Sequence, residues 1–235
     1  ENAVRQLQNE VYTTHPVIEE RNDYLGQVTG EVFSRVLSTG MASPGLLQHL
    51  GSAADTGHIQ AWFADPDVQA LVADLPLGGV LPADPDPDQV RLYLTNIDAS
   101  KLGQFAHLEV TTSCASDAAQ VRTSFRYEPD PDPPAYVSGL TDRDPPLAHE
   151  LSVSMYVPPN RGVQGVQLAG RDLPLQVGEE KGWTVVRVDI QLDPDTTSTL
   201  TWDLLGTSTL PEVVVQPLTN APILPDPAQA GTDCG

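Results

Sequence analysis

Acidic side chains are the residues of this sequence whose spacing most readily suggests chemistry. Asp84, Asp86 and Asp88 alternate as the first three ligands of an EF-hand calcium loop do. The sixth position of such a loop needs glycine and the twelfth a bidentate acid, but this chain has a glutamine and a threonine there. Prolines also stiffen this stretch and the acidic run at residues 128–134. We therefore interpret both as solvated connectors and predict no metal site.

Other catalytic chemistry has no local signature in the sequence. The histidines are dispersed singly, as His15, His49, His58, His107 and His149. None of these spacings places two metal ligands on one helix or strand face. There is no nucleophile motif and no phosphate-binding glycine loop. Carboxylate pairs are expected by chance among 32 acidic residues, so they do not indicate a glycosidase. We predict no catalytic residue and no cofactor, and we favour a protein that is not an enzyme.

A polar connection at residues 96–103 contains the candidate interaction residues Asn96, Ser100 and Lys101. Lys101 is one of only two lysines in an acidic chain, so it could anchor an anion or a neighbouring subunit. The alternative is that Lys101 pairs with nearby carboxylates while Asn96 and Ser100 bond the backbone of their own loop. We favour this alternative.

The periodicity of the apolar residues changes near residue 76. Before it, apolar residues recur at helical spacing, as in Leu25, Val28 and Val32, and Asp65-Pro66 is typical of a helix start. After it, short alternating stretches are separated by Pro- and Asp-rich turns. These stretches are Val90–Thr95, Leu108–Thr112, Val121–Tyr127, Leu151–Val157, Val163–Leu168, Trp183–Leu192, Leu200–Leu204 and Val213–Pro217.

This segregation predicts an α+β fold in which an N-terminal helical segment packs on a mainly antiparallel, β-sandwich-like region. We assign residues 1–76 to the helical segment, as the C-terminal part of a larger N-terminal region. Residues 77–218 form the β region, and residues 219–235 form a Pro/Ala-rich tail.

The charge balance excludes several partners. The chain carries 32 acidic and 12 basic residues, a net charge of −20. Such a surface repels phosphate backbones and anionic headgroups, so we predict no nucleic-acid binding and no membrane contact by this piece. No apolar run reaches the ~18 residues of a membrane span.

Several collinear stretches resemble the C-terminal half of the DUF 4012 family, which is common in actinobacteria. They are HIQAWFADPDVQALVADLPLGGVLP, LTNIDASKLGQF, SVSMYVPPNRGVQGVQLAGRDLP, VVRVDIQLDPDTTSTLTW and VVVQPL, which together span about three quarters of the chain. One departure is Asp193-Pro194-Asp195, where the family usually has Pro-Gly. The resemblance implies an N-terminal membrane-spanning helix, absent here, followed by a long portion outside the cytoplasm. The family has no established activity, so it implies no site residues.

These observations predict an extracytoplasmic module of a membrane-anchored cell-envelope protein, anchored through an N-terminal segment absent from this chain. It would work by binding or scaffolding, with an envelope component or another protein as its partner. The alternative is an envelope enzyme that acts on glycan or another polymer, using carboxylates in the seam between helices and strands. A deep pocket with convergent polar groups and perturbed acids would favour the enzyme over the scaffold.

The sequence alone leaves the pairing of Cys114 and Cys234 open. Two cysteines are too few for a disulfide framework and lack the spacing of a zinc or redox site. We expect them to be bonded because a Pro- and Ala-rich chain end frays unless something ties it down. The compartment that the resemblance implies would permit such a bond.

Overall fold

The chain divides into two compact units in the computed structural model. The first contains residues 1–79 and 134–137, and the second contains residues 80–133 and 138–235. Within them the structure describes residues 6–39, 44–73, 75–116, 118–139, 143–206, 208–216, 218 and 220–234.

The first unit is helical. Its helices are α1 (Val11–Thr14, preceded by a π turn), α2 (Ile18–Thr39), α3 (Pro44–Asp55) and α4 (Pro66–Ala73); a further short helix, α5, spans Ala135–Ser138. The start of α4 follows the prediction, because the Asp65 carboxylate accepts the Asp67 amide at 2.9 Å and so caps the helix. No helix in the part of the chain that the structure describes is long and apolar enough to cross a bilayer.

The second unit contains two five-stranded sheets. The strands are β1 (Gln89–Asn96), β2 (Ala106–Ala115), β3 (Ala118–Tyr127), β4 (His149–Val157), β5 (Gly162–Leu168), β6 (Arg171–Asp172), β7 (Gln176–Glu180), β8 (Trp183–Leu192), β9 (Thr196–Leu205) and β10 (Glu212–Val215). The first sheet has the order β10-β1-β4-β8-β7 and the second β2-β3-β9-β5-β6. Only the pairing of β1 with β10 is parallel among the described strand pairs. The predicted α+β class with a mainly antiparallel, sandwich-like region is confirmed.

The alternation of apolar and polar residues explains why these stretches form half-buried strands. In β8, Trp183, Val186 and Val188 are buried while Asp189 and Gln191 are exposed or half-buried. The core is made of the inward-facing side chains of both sheets. Its largest fully buried members include Trp183, Trp202, Tyr127, Phe125, Leu92, Met155 and Leu200, and one polar residue, His149.

Two of the connections that pass from one sheet to the other lie side by side at one end of the sandwich. The first crossing joins β1 to β2, and the second joins β3 to β4. The antiparallel register pairs Asn96 with Leu151, and Ala106 with Tyr127. The end of β1, the start of β2, the end of β3 and the start of β4 are therefore adjacent, and the two connecting loops meet there.

The last part of the chain is a hydrogen-bonded part of the second unit, although its composition predicts a tail. Ile223 pairs with the edge strand β2, accepting the Val110 amide at 2.8 Å and donating to the Leu108 carbonyl at 2.9 Å. Farther along, a disulfide joins Cys234 to Cys114 of β2, with their Cα atoms 5.3 Å apart. The chain end therefore covers an edge that β2 would otherwise expose.

Candidate functional site

The loop between β1 and β2 is built by three successive turns in which a side chain caps the backbone two residues later. The Asn96 amide oxygen accepts the Asp98 amide at 2.9 Å, and the Asp98 carboxylate accepts the Ser100 amide at 3.0 Å. The Ser100 hydroxyl then accepts the Leu102 amide at 3.1 Å. Asn, Asp and Ser favour such local bonds, so the sequence itself specifies this loop. Ala99 at its centre has a φ of +55°, which these bonds hold in place.

Asp98 is buried at the centre of a polar cluster formed by the two crossing loops. Its Oδ2 atom lies 3.0 Å from Nδ1 of His149 and 3.2 Å from a terminal nitrogen of Arg143. The same oxygen accepts the Glu150 amide at 2.9 Å. Burial on its own raises the pKa of the Asp98 carboxyl, but bonds from Ser100, the Glu150 amide and His149 outweigh burial and hold this pKa below its usual value. Asp98 is therefore an ionised carboxylate inside the protein.

Arg143 and Tyr127 hold the second crossing loop against the first. Arg143 donates to the backbone carbonyls of Asp98 and Ala148, at 2.9 and 3.0 Å. The buried Tyr127 hydroxyl donates to the Leu147 carbonyl at 2.6 Å. Burial, with a smaller contribution from Asp98, raises the pKa of Tyr127, so its phenol stays protonated. These three bonds fix the approach of the loop to His149.

His149 has one satisfied ring nitrogen and one that is not. Nδ1 lies beside the Asp98 carboxylate, which fixes that nitrogen as the proton carrier. Nε2 is buried and has no hydrogen-bond partner among the described residues. Burial is the main cause that lowers the pKa of His149; the charge of Arg143 adds to it, while Asp98 and Glu150 offset part of it. The ring is therefore neutral at pH 7, and Nε2 presents a lone pair.

A cavity of about 230 Å³ lies next to this nitrogen, between the two sheets. One wall comes from the first sheet through Leu94 and Leu151, and the opposite wall comes from the second sheet through Leu108 and Phe125. Gly103 lies directly beside the imidazole, since a Cβ atom added there would be 3.2 Å from Nε2. A side chain at Gly103 would therefore crowd Nε2.

The third side of the cavity is formed by the segment that follows β10. We call Gln216, Leu218 and residues 220–223 the closing segment, because it runs from the edge of the first sheet to the edge of the second. The Gln216 side-chain nitrogen donates to the Leu94 carbonyl at 2.7 Å. The Asn220 side-chain nitrogen donates to the carbonyls of Gln104 and Ala106, at 2.8 and 3.0 Å. The Asn220 nitrogen thus uses both of its N–H groups and the Gln216 nitrogen uses one, while both amide oxygens can accept hydrogen bonds.

A second cavity of about 420 Å³ lies on the other side of Asp98. Asp98, Arg143 and Glu150 line it together with Ile97 and Gln191. Asp98 and Arg143 are already paired with each other and with backbone. The first cavity, by contrast, has an unpartnered polar atom in its wall.

The structure places the residues that the sequence singled out in different surroundings. Asn96 and Ser100 bond the backbone of their own loop: the Asn96 side-chain nitrogen donates to the Ser100 carbonyl. Lys101 is half-buried beside them. The Cys114 and Cys234 pair forms the disulfide described above. Asn96 also lines the 230 Å³ cavity.

The acidic connectors bond their own backbone. The carboxylates of Asp86 and Asp130 each accept the amide two residues later, at 3.0 Å. No three His, Cys, Asp or Glu side chains in the described part of the chain come together as a metal site.

Sequence reasoning missed Asp98, Arg143 and His149 as members of one cluster. Asp98 lies inside the predicted interaction loop, but composition marks Lys101 as the unusual residue there. His149 is one of five histidines that occur singly in the sequence. The signal that could have found the cluster is the pairing of β1 with β4, which brings residues 51 positions apart within 3.0 Å. That pairing is not encoded in any local motif.

Comparisons with known proteins add little to this geometry. The chain matches no family model and no curated protein. Among solved structures, a protein of Legionella pneumophila, titled as a candidate nutrient binding protein, shares 6% identity and a TM-score of 0.26 over 49% of this chain and 42% of that chain. A two-domain M1 zinc metallopeptidase mutant bound to L-arginine shares 15% identity and a TM-score of 0.20 over 52% of this chain and 20% of that chain. The chain thus spans less than half of either structure, and neither likeness supports an argument.

Proposed function

We propose that this chain is an extracytoplasmic binding module of a membrane-anchored cell-envelope protein, and that it binds a small ligand in the 230 Å³ cavity beside His149. The anchor would be an N-terminal segment outside this chain, as the resemblance to the DUF 4012 family implies. The observation that carries the proposal is the buried Nε2 atom of His149, which has no partner among the described residues and belongs to a residue that lines the cavity.

The energetic argument starts from that unpartnered atom. A buried polar atom without a hydrogen bond costs about 1–3 kcal/mol, so proteins rarely retain one without a use. Here the ring is held by Asp98, while Gly103 puts no side chain against its other side. A small ligand that donates a hydrogen bond to Nε2 would recover this cost. The convergent polar groups favour a defined site over scaffolding alone.

The disulfide supports the proposed compartment. Structural disulfides persist in oxidising compartments and are rare in a reducing cytosol. The bond between Cys114 and Cys234 joins an edge strand to the chain end across 120 positions of sequence. It stabilises the chain only where both thiols are oxidised.

An enzyme is the second candidate, because a buried Asp–His pair is also the base of many hydrolytic sites. His149 could accept a proton from a water or a hydroxyl in the cavity. Such chemistry also needs a nucleophile and a group that stabilises negative charge. The cavity lining that the structure describes contains no Ser, Thr or Cys. Binding without turnover is therefore the better supported function.

The experiment is a screen of small fragments of varied chemistry against the ¹⁵N-labelled chain, monitored by amide chemical shifts. We expect some fragments to shift the amides of residues 94–108 and 216–223. Ala106→Leu adds a side chain that fills the cavity, and it should abolish these shifts. Ala118→Leu makes the same change at a half-buried strand position outside the lining and should leave them intact.

The screen has three outcomes. Shifts that are lost only in Ala106→Leu support the proposal. No shift with any fragment, or equal shifts in both variants, overturns it. Chemical conversion of a fragment or of isolated envelope polymer, detected by mass spectrometry and lost in His149→Gln, replaces binding by catalysis.

A further inference from the structure

We infer that the cavity beside His149 selects an uncharged ligand that has a hydroxyl donor on a compact apolar body. The inference rests on the proposed function and deepens it, because it assigns the chemical class of the ligand. It follows from three features: the hydrogen-bonding character of the polar atoms, the apolar walls, and the absence of a charge among the described lining residues.

Most of the polar groups that converge on the cavity can accept a hydrogen bond. Nε2 of His149 is an acceptor because Nδ1 carries the ring proton toward Asp98. The amide nitrogens of Gln216 and Asn220 donate to backbone carbonyls, and their oxygens can accept. Asn96 and Gln216 each keep one N–H group, since each amide nitrogen makes one bond. A hydroxyl fits this lining because it donates one hydrogen bond and can accept another.

The walls determine the rest of the ligand. Leucine side chains of both sheets, together with Phe125, surround these acceptors. A volume of about 230 Å³ exceeds the roughly 150 Å³ that holds benzene in an engineered protein cavity. The site thus has room for one six-membered ring with a small substituent. The body of the ligand contacts carbon, while its donor reaches Nε2.

Charge excludes ionised alternatives. A carboxylate or phosphate would bring only acceptors and a negative charge to a chain of net charge −20. An ammonium would be attracted by that field and can donate, but no acidic side chain lines the described wall to replace its lost hydration. Asp98 does not serve, because its carboxylate is already engaged by Arg143 and His149. A neutral hydroxyl carries neither cost.

The experiment compares four probes of one shape: cyclohexanol, methylcyclohexane, cyclohexylammonium and cyclohexanecarboxylate. Dissociation constants are measured by amide chemical shifts on the intact chain at pH 7.5 and moderate salt. We expect cyclohexanol to bind about five- to tenfold more tightly than methylcyclohexane, the factor that one neutral hydrogen bond supplies. The ammonium should bind more weakly than the alcohol, and the carboxylate should not bind.

A matched pair of glycine variants locates the donor contact. Gly103→Ala places a methyl group 3.2 Å from Nε2, so it should remove the preference for the alcohol over the hydrocarbon. Gly165→Ala makes the same change where the new Cβ meets nothing within 4 Å, and it should keep the preference. The amide spectrum of each variant is recorded before the probes are added, so a loss of folding is not mistaken for a loss of preference.

The outcomes separate this inference from the proposed function. If none of the four probes binds but other fragments occupy the cavity, the ligand class is wrong and the binding function stands. If the hydrocarbon or the ammonium equals the alcohol, or Gly103→Ala keeps the preference, the hydroxyl contact is refuted. If no fragment of any kind occupies the cavity, the proposed function fails with it.

Discussion

Asp98 connects several parts of the second unit through its carboxylate. One carboxylate joins the loop between β1 and β2, the side chain of Arg143, the ring of His149 and the start of β4. An ion pair of this kind contributes little over a hydrophobic replacement, but removal of one partner leaves the other charge buried and uncompensated.

We therefore predict that Asp98→Asn destabilises the protein by about 3 kcal/mol, because Arg143 loses its counter-charge. Glu179→Gln removes the same charge from an exposed position in β7 and should change stability by less than about 0.5 kcal/mol. Urea unfolding measures both. Equal losses in the two variants would show that the cluster is not a structural centre.

The titration of His149 gives a second prediction at this scale. Its pKa is lowered in the folded protein, so below pH 6.5, the ordinary value, the unfolded chain binds a proton that the folded chain does not. The unfolded state then binds more protons, and stability falls as the pH is lowered below about 6.5. The lowered pKa of Asp98 adds a loss in the same direction below about 3.8.

The measurement is the free energy of unfolding against pH in the wild type and two variants. His149→Gln should reduce the slope between about pH 5 and 6.5, since it removes this proton uptake. His107→Gln changes an exposed histidine of β2 and should preserve the slope. A slope that survives in His149→Gln would assign the effect to other groups.

At the scale of elements, the strands were predictable and their arrangement was not. The strand that alternation predicts at Trp183–Leu192 is β8 with the same bounds, because one face of that strand is buried. The short β6 and β7 were missed because their residues are all exposed and show no alternation of burial. The parallel pairing of β1 with β10 and the pairing of β1 with β4 depend on long-range packing that no local pattern records. For the same reason the loop that contains Asp98 could be predicted from the sequence, but its contacts with Arg143 and His149 could not.

Gly139 tests how closely the two crossing loops pack. It has a φ of +68°, and a Cβ atom there would lie 3.1 Å from the Ala99 carbonyl oxygen and 3.2 Å from the Ser100 Cβ. Gly139→Ala should therefore cost about 2 kcal/mol, from backbone strain and crowding together. Gly170→Ala has the same kind of strain at a φ of +77° but open space around it, and should cost about 1 kcal/mol. Thermal or urea unfolding compares them; equal costs would mean that the loops do not touch as described.

The disulfide gives a further prediction at the scale of elements. Reduction of the disulfide between Cys114 and Cys234 should lower stability by up to about 5 kcal/mol, because it frees a loop of 120 positions in the unfolded chain. It should also loosen the chain end, so the amides of Leu210, Ile223 and Cys234 should exchange faster in hydrogen-exchange measurements. The amides of β8 serve as an internal control. Faster exchange throughout the chain, β8 included, would indicate global unfolding instead of local release.

On the scale of the whole molecule, the described cavity lies between the two sheets of the second unit. It is closed by a segment whose later part, residues 220–223, composition alone predicts to belong to a tail. The net charge of −20 lies on the surface, whereas the cavity is lined by apolar side chains and uncharged polar groups. This contrast between an anionic exterior and a neutral site is what a module would need to bind an uncharged ligand at a cell envelope. The membrane anchor and the relation to the DUF 4012 family stay predictions.

The measurement that tests the central claim most directly is ¹⁵N NMR of the histidine rings, with the signals of His149 assigned through His149→Gln. At pH 7.5 we predict a neutral ring with the proton on Nδ1 and an unprotonated Nε2, and a shift of the Nε2 signal when cyclohexanol is added. The four other histidines in the same spectrum provide the reference. A proton on Nε2, a charged ring, or an Nε2 signal that does not respond while cyclohexanol occupies the cavity would contradict the account.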